Sequence, residues 1–230
     1  MVIINADDFG RSNSINKAVK ECFMNGIISQ ATIMANMPAY DEAVEISKKY
    51  NFYNKIGLHI TLDEGEPLSN KIKNNPHFCK DGFFIKNCIH GIMKIHINKY
   101  DRECIEEEVE AQMKKYVDSG FPLMHIDSHH HIHINISVMR VVKRVAKKYG
   151  FRSVRISPLR PSDSFLKRLY KLALNKYIQS SFITTKKFEV SRDTTFSKSD
   201  SVEIMTHPDI INGNLVEVIK REPLQVKRYL

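Results

Sequence analysis

Short apolar runs alternate along this chain with segments whose apolar residues fall three and four apart, the patterns of buried strands and amphipathic helices. The first run, residues 2–5, is broken by Asp7-Asp8-Phe9-Gly10. Ser12 or Asn13 then caps a helix through Asn25, with Gly26 just past its end. Residues 31–37 read as a second strand, and Pro38 suits the first turn of a helix through Tyr50. A third strand at 55–62 is followed, after a long gap, by a strong helix at 101–119. That helix is acidic early, at Glu106, Glu107 and Glu108, and basic late, at Lys114 and Lys115, as the helix dipole prefers. The pattern continues with a fourth strand at 123–127, a basic amphipathic helix at 137–149 and a fifth strand at 153–156. A helix at 163–179 carries Phe165, Leu166, Leu169, Leu172 and Ala173 at helical spacing, and a last clear strand spans 201–205.

The gap, about residues 63–99, contains Gly65, Pro67, Pro76 and Gly82. An excursion of that length in a compact domain is usually a functional lid or a small subdomain. Residues 180–200 carry little pattern, and no repeat or linker divides the chain, so 1–230 reads as one domain. Repeated strand–helix units imply a parallel sheet, either a closed barrel or an open doubly wound one. Asp7 and Asp8 follow the first strand, His59 lies late in the third, His129 follows the fourth and His207 the last. All sit at strand C-termini, where β/α barrels build their sites. In the third strand Gly57, His59 and Thr61 share one parity and Leu58, Ile60 and Leu62 the other, which suits a polar mouth inside an apolar, helix-covered wall. The clear strands are too few for a regular eight-fold barrel, so the expected fold is a distorted or incomplete TIM-like (β/α) barrel.

Composition narrows the class. With 230 residues, 42% hydrophobic and 27% charged, the chain can bury one substantial core. It has no apolar run long enough for a membrane span, and its acidic N-terminus does not read as a secretory signal. Cys22, Cys79, Cys88 and Cys104 are scattered without a CxxC pair, which suggests a reduced, cytoplasmic protein. Net charge is +9, yet the block from Arg140 to Lys187 alone carries +13, with Asp163 its single acid, leaving −4 for the remainder. Those bases sit on amphipathic helices without a recognition motif, so the block reads as a solvated face and no nucleic-acid partner is expected.

The chemistry concentrates in Met124-His125-Ile126-Asp127-Ser128-His129-His130-His131-Ile132-His133, which holds five of the ten histidines. The run is internal and interrupted, unlike a purification tag. In an extended chain His125, Asp127, His129, His131 and His133 would share one face. Imidazole and carboxylate together suit Zn²⁺ or a similar first-row ion. They cannot all be ligands, because residues four apart on a strand are separated by roughly 13 Å. Other ligands must come from elsewhere in the chain.

Four stretches carry a resemblance: Asn5-Ala6-Asp7-Asp8-Phe9-Gly10 with Ser14-Ile15-Asn16; Gly57-Leu58-His59-Ile60-Thr61-Leu62; the histidine run; and Glu203-Ile204-Met205-Thr206-His207-Pro208. In this order they resemble the motifs of the YdjC-like carbohydrate deacetylases, which include the chitooligosaccharide deacetylases. The last motif reads His-Pro-Asp here, where the family more often has His-Pro-Gly. The resemblance implies a distorted β/α barrel with one divalent metal held by Asp8, His59 and His129. Strand register agrees on His129, with His125 too deep and His131 and His133 too far along. Asp127 would fix the tautomer of a ligand imidazole or line the substrate pocket. By analogy with the wider polysaccharide deacetylases, Asp7 would be the general base and His207 the general acid. Arg155, ending the fifth strand, would bind substrate hydroxyls or an anionic group, unless it merely forms a surface salt bridge. The implied substrate is an acetylated amino sugar or chitooligosaccharide, and the implied assembly a homodimer. Mg²⁺ is often assigned to this family, whereas ligand softness favours Zn²⁺, Co²⁺ or Ni²⁺. Two rivals stand beside it: another metal-dependent amidohydrolase or phosphoesterase with a two-metal site built on His129-x-His131, and a non-catalytic anion-binding protein using the basic block.

Overall fold

The computed structural model describes residues 1–86, 88, 97–189 and 200–224. Strand β1 (Val2–Phe9) runs through the expected break at Asp7. The Asp7-Asp8 sequence instead makes an irregularity within the strand: pairing with the next strand shifts register between Ala6 and Phe9, and Asp8 adopts a φ of 65°. Helix α1 (Asn13–Met24) is capped by Ser12, whose hydroxyl accepts the Ile15 N–H. Strand β2 (Gln30–Ile33) is shorter than the apolar run that predicts it, and α2 (Tyr40–Lys49) begins beyond Pro38. Strand β3 (Ile56–Ile60) is buried along its whole length.

The insertion that follows contains a short helix, α3 (Asn70–Lys73), and a hairpin, β4 (Cys79–Lys80) with β5 (Phe83–Phe84). Residues 87 and 89–96 of the insertion lie outside the described residues. Helix α4 (Lys99–Asp118) starts at a capping box of Asn98 and Asp101. Its buried Glu108 accepts the Leu68 and Ser69 N–H groups at 3.1 and 2.7 Å, tying the insertion to the barrel wall. Strand β6 (His125–Ser128), α5 (Ile136–Lys148), β7 (Ser153–Val154) and α6 (Phe165–Gln179) follow within a few residues of expectation. The stretch 180–189, with little pattern of its own, supplies β8 (Lys187–Glu189) before β9 (Val202–Thr206). Beyond it, β10 (Pro208–Ile211), β11 (Asn214–Glu217) and β12 (Glu222–Pro223) form an antiparallel sheet, and β10 packs on α1.

The main sheet has the order β7-β6-β3-β2-β1-β9-β8, all parallel, and curls into a half-barrel flanked by helices. This is an incomplete TIM-like barrel. The segment leading into β8 returns to the opposite edge, where Ile183 bridges Ser153 of β7. A single bridge stands where a full barrel would pair two strands. Strands β2, β3, β6 and β9 are buried on both faces, as a helix-covered parallel sheet requires. Among the described residues, none of the four cysteines forms a disulfide. Among the described residues, no helix is long and apolar enough to cross a membrane.

Helix α6 departs from its periodicity. The apolar stripe points outward, leaving Phe165 78% and Leu166 70% exposed, while Lys171, Leu174, Asn175 and Ile178 face the protein. Lys171 is accommodated there because its ammonium donates to the Pro158 carbonyl and to Asp163, at 2.7 and 2.6 Å.

Candidate active site

Three parallel strands deliver the central residues. The positive φ of Asp8 turns its carboxylate to one side of Asp7, late in β1. His59 comes from β3, and His129 follows the last residue of β6. Asp8 Oδ1 lies 2.9 Å from His129 Nδ1 and 3.2 Å from His59 Nε2, with all three side chains buried. The far nitrogen of each imidazole meets a second carboxylate. His59 Nδ1 lies 2.7 Å from Asp127 Oδ1, and His129 Nε2 lies 2.9 Å from Glu64 Oε2. Asp127 also accepts the Thr32 hydroxyl at 3.0 Å, and Thr32 in turn accepts an Asn5 amide proton at 2.9 Å.

Beyond Ser128 the expected alternation of the histidines fails. His130 and His131 take left-handed conformations, with φ of 48° and 55°, so the chain coils back. His130 Nδ1 pairs with buried Asp63 at 2.7 Å. The His131 ring stands edge-on to Phe188, with centroids 5.5 Å apart. His133 folds back onto Ser128, whose hydroxyl accepts its N–H at 3.1 Å. Among the clustered histidines, His129 alone reaches Asp8; His125 sits at the far end of β6, its Nδ1 3.0 Å from the Ser153 hydroxyl.

His207 follows β9, and its backbone N–H donates to Glu217 of β11 at 2.9 Å. Its Nδ1 approaches Glu217 Oε1 at 3.6 Å. A cavity of about 460 Å³ is lined by Asp7, Asp8, His59, His129, His131 and His207, among others. A larger one, about 670 Å³, opens at the other end of the strands beside His125 and Gln30 and brings none of these residues together.

Asp127, expected either to fix a ligand imidazole or to line the pocket, and Arg155, expected to bind substrate, are buried and are not among the residues that line the cavity. Arg155 is 0% exposed and has carboxylates on all sides. It donates to both oxygens of Asp7 at 2.7 Å, to Glu203 at 2.7 Å, and meets Asp127 at 2.6 Å. Its guanidinium also stacks over the Phe188 ring, 4.7 Å from the centroid.

Electrostatics follow the contacts. Burial alone would lower His59 and His129, yet Asp127 and Asp8 push His59 up to about 10, and Asp8 and Glu64 push His129 up to about 9. Burial would likewise raise Asp8, but those two imidazoles hold it well below the usual carboxylate range. The His129 hydrogen bond and the Arg11 charge lower Glu64. For His207, burial is outweighed by Glu217 together with the charges of Asp7 and Asp8, so its pKa is raised.

One oxygen and two nitrogens from Asp8, His59 and His129 lie within 4.8 Å of one another. A buried carboxylate with two imidazoles is the donor set that first-row divalent cations take. Asp7, His59 and Asp127 cluster equally tightly, but the Arg155 guanidinium already fills the space between those carboxylates with positive charge. A third group, Asp63, His129 and His130, shares His129; of the three, only Asp8, His59 and His129 all line the cavity, which makes that group the fitting cage. Sequence reasoning passed over Asn5, Arg11, Thr32, Asp63, Glu64, Glu203 and Glu217; the acidic run Asp63-Glu64, just after the strand bearing His59, was the signal available for two of them.

A sequence model of the YdjC-like protein family matches residues 1–223. The chain belongs to the YdjC-like family. One relative, a carbohydrate deacetylase of Thermoanaerobacter pseudethanolicus, is 32% identical over 222 residues, which is 94% of this chain and 84% of the relative. Another, a carbohydrate deacetylase of Geobacillus stearothermophilus, is 31% identical over 218 residues, 91% of this chain and 80% of that one. Among solved structures, an Enterococcus faecalis protein assigned to cellobiose-phosphate cleavage superposes with a TM-score of 0.69 at 25% identity, covering 92% of this chain and 82% of that one.

Proposed function

We infer that the protein is a metal-dependent carbohydrate deacetylase that removes the N-acetyl group from an acetylated amino sugar or chitooligosaccharide and releases acetate. The observation that carries this reading is that Asp7 and His207 line the same cavity as the Asp8–His59–His129 cage. The relatives that carry the name carbohydrate deacetylase support it.

Asp8, His59 and His129 would hold one divalent ion, with Zn²⁺, Co²⁺ and Ni²⁺ favoured by the nitrogen donors and Mg²⁺ the alternative. When bound, such an ion polarises a carbonyl and acidifies water. Asp7 is the base in this reading: its carboxylate takes a proton from the water that attacks the acetyl carbonyl carbon. The tetrahedral oxyanion then collapses, the C–N bond breaks, and the departing amine needs a proton. His207 supplies it: burial alone would lower its pKa, but Glu217 and the charges of Asp7 and Asp8 raise it, which favours the proton-carrying ring. Asp127 holds a proton on His59 Nδ1 so that Nε2 keeps its lone pair for the ion. Arg155 aims Asp7 at the cavity instead of touching the sugar.

An acetate-release screen over N-acetylglucosamine, chitobiose, longer chitooligosaccharides and phosphorylated amino sugars tests the reading. Acetate release that stops on chelation and returns with added metal is expected. A well-folded, metal-loaded protein that frees no acetate from any of them would remove it, and two tightly bound ions per chain would favour a dinuclear hydrolase.

A further inference from the structure

Glu64 lies in the first turn after the run that holds His59, at the start of the insertion, and the surrounding chain is built to hold it still. The Asn36 side-chain amide donates to the Glu64 carbonyl at 2.8 Å and to that of Glu66 at 3.3 Å, gripping the turn on both sides. Gly65, between them, has a φ of +79°, and a Cβ there would come within 2.9 Å of Met37 Sδ and 3.0 Å of Asn36 Nδ2. The turn thus requires glycine for its backbone and for its space. The Glu64 side chain is fixed as well. Arg11 donates to Oε1 from Nε at 2.8 Å and from a terminal nitrogen at 2.7 Å. The other oxygen, Oε2, faces His129 Nε2 at 2.9 Å.

The two cage histidines therefore present opposite nitrogens. His59 has Nδ1 on Asp127 and Nε2 toward Asp8, whereas His129 has Nε2 on Glu64 and Nδ1 toward Asp8. A neutral imidazole carries one proton; with Asp8 and the nitrogen beside it given to an ion, the nitrogen that faces the second carboxylate keeps that proton. We propose that Glu64 is a positioning residue of the metal centre: it fixes the proton of His129 on Nε2 and leaves Nδ1 as the donor, making the base of the insertion part of the cage. This rests on the reading of Asp8, His59 and His129 as ligands. Partners of this kind typically contribute about 10–100-fold to metal affinity.

Zn²⁺ affinity of the full-length protein, measured by competition with a chromophoric chelator, tests the role with three variants. Glu64→Leu should weaken Zn²⁺ binding by about 10–100-fold, while its metal-free unfolding midpoint, lowered by loss of the charge beside His129, stays close to that of Glu64→Gln. Glu64→Gln keeps an oxygen that can accept the Nε2 proton and should retain affinity within several-fold of wild type. His129→Ala should bind too weakly to measure. An affinity within twofold of wild type for Glu64→Leu would overturn the proposal. So would a Glu64→Gln protein as defective as His129→Ala, because Glu64 would then be a ligand itself. A metal-free midpoint of Glu64→Leu far below that of Glu64→Gln, in step with affinity, would make Glu64 a structural clamp and equally overturn it. A wild-type chain that binds no Zn²⁺ would sink the centre and the role of Glu64 together, whereas tight wild-type binding with an indifferent Glu64→Leu sinks the role of Glu64 alone.

Discussion

Arg155 grips Asp7 through both terminal nitrogens, each 2.7 Å from a different carboxylate oxygen, and neither side chain is more than 2% exposed. The same guanidinium meets Asp127 and Glu203, so one cation holds three buried carboxylates contributed by β1, β6 and β9. Arg155→Met would leave those carboxylates with no cation between them, and breaking a buried pair on one side typically costs about 3–5 kcal/mol. Urea denaturation should register a loss of that size. Arg155→Lys should recover little, because an ammonium cannot reproduce the two parallel bonds. A wild-type midpoint for Arg155→Met would show that the network has no structural weight.

The cage residues should separate from the other histidines in a metal assay. His59→Ala and His129→Ala each remove one of three ligands and should abolish both occupancy and turnover. His133→Ala should keep its metal, since that ring faces Ser128 and not the cage. Elemental analysis after dialysis decides this, and the reverse pattern would mean that the cage is misassigned.

Asp7→Asn should keep its metal yet lose most activity, because a positioned general base contributes about 10²–10⁴-fold. Asp8→Asn should lose both metal and activity. Single-turnover rates on metal-loaded protein check the first claim, and a near-wild-type rate for Asp7→Asn would end its assignment as base.

The metal-free protein should be destabilised by alkali. His59 and His129, pushed up to about 10 and 9 by their carboxylate partners, keep protons in the fold that the unfolded chain releases near pH 6.5. Their contribution is complete below about pH 6.5 and disappears as pH rises through 9 to 10. His133 has the opposite sign: burial first, then the Arg155 charge, lower it to about 3, so its contribution is present above 6.5 and lost as pH falls toward 3. Metal affinity should climb over the alkaline span in which metal-free stability drops, since the same protons must leave. Denaturant midpoints in chelator between pH 7 and 9 provide the measurement; a flat or rising profile would contradict it.

His207 should matter in proportion to how badly the leaving group needs a proton. His207→Ala should cripple amide deacetylation while sparing hydrolysis of an activated acetate ester, whose leaving group departs largely unaided. Metal content should not change. Equal loss on amide and ester in a folded, metal-loaded variant would leave His207 with only the turn beside Pro208 to its credit.

Residue types and their spacing were enough to place Asp7, Asp8, His59, His129 and His207 at the ends of parallel strands, because strand periodicity and βα alternation are local properties of the chain. They were also enough to mark the long insertion and the incomplete barrel. Local pattern misjudged three features. It ended β1 at the acidic pair, although an irregularity carries the strand through Phe9. It ran the histidines on along one face past Ser128, although two consecutive left-handed residues turn His130 toward Asp63 and His131 toward Phe188. It read the α6 stripe as one face of an ordinary helix, although the fold turns that stripe outward and buries Lys171.

Tertiary structure decided which carboxylate meets which ring, although Asp127 was already a candidate partner for a ligand imidazole. Asp127 comes to His59 from 68 residues away, Glu64 to His129 from 65, and Arg155 to Asp7 from 148. No period in a sequence encodes such separations. They arise where curled parallel strands bring distant segments to one axis, and there burial makes pairing between opposite charges obligatory. That is why Arg155, near the end of a predicted strand, is the buried counter-ion to Asp7, Asp127 and Glu203.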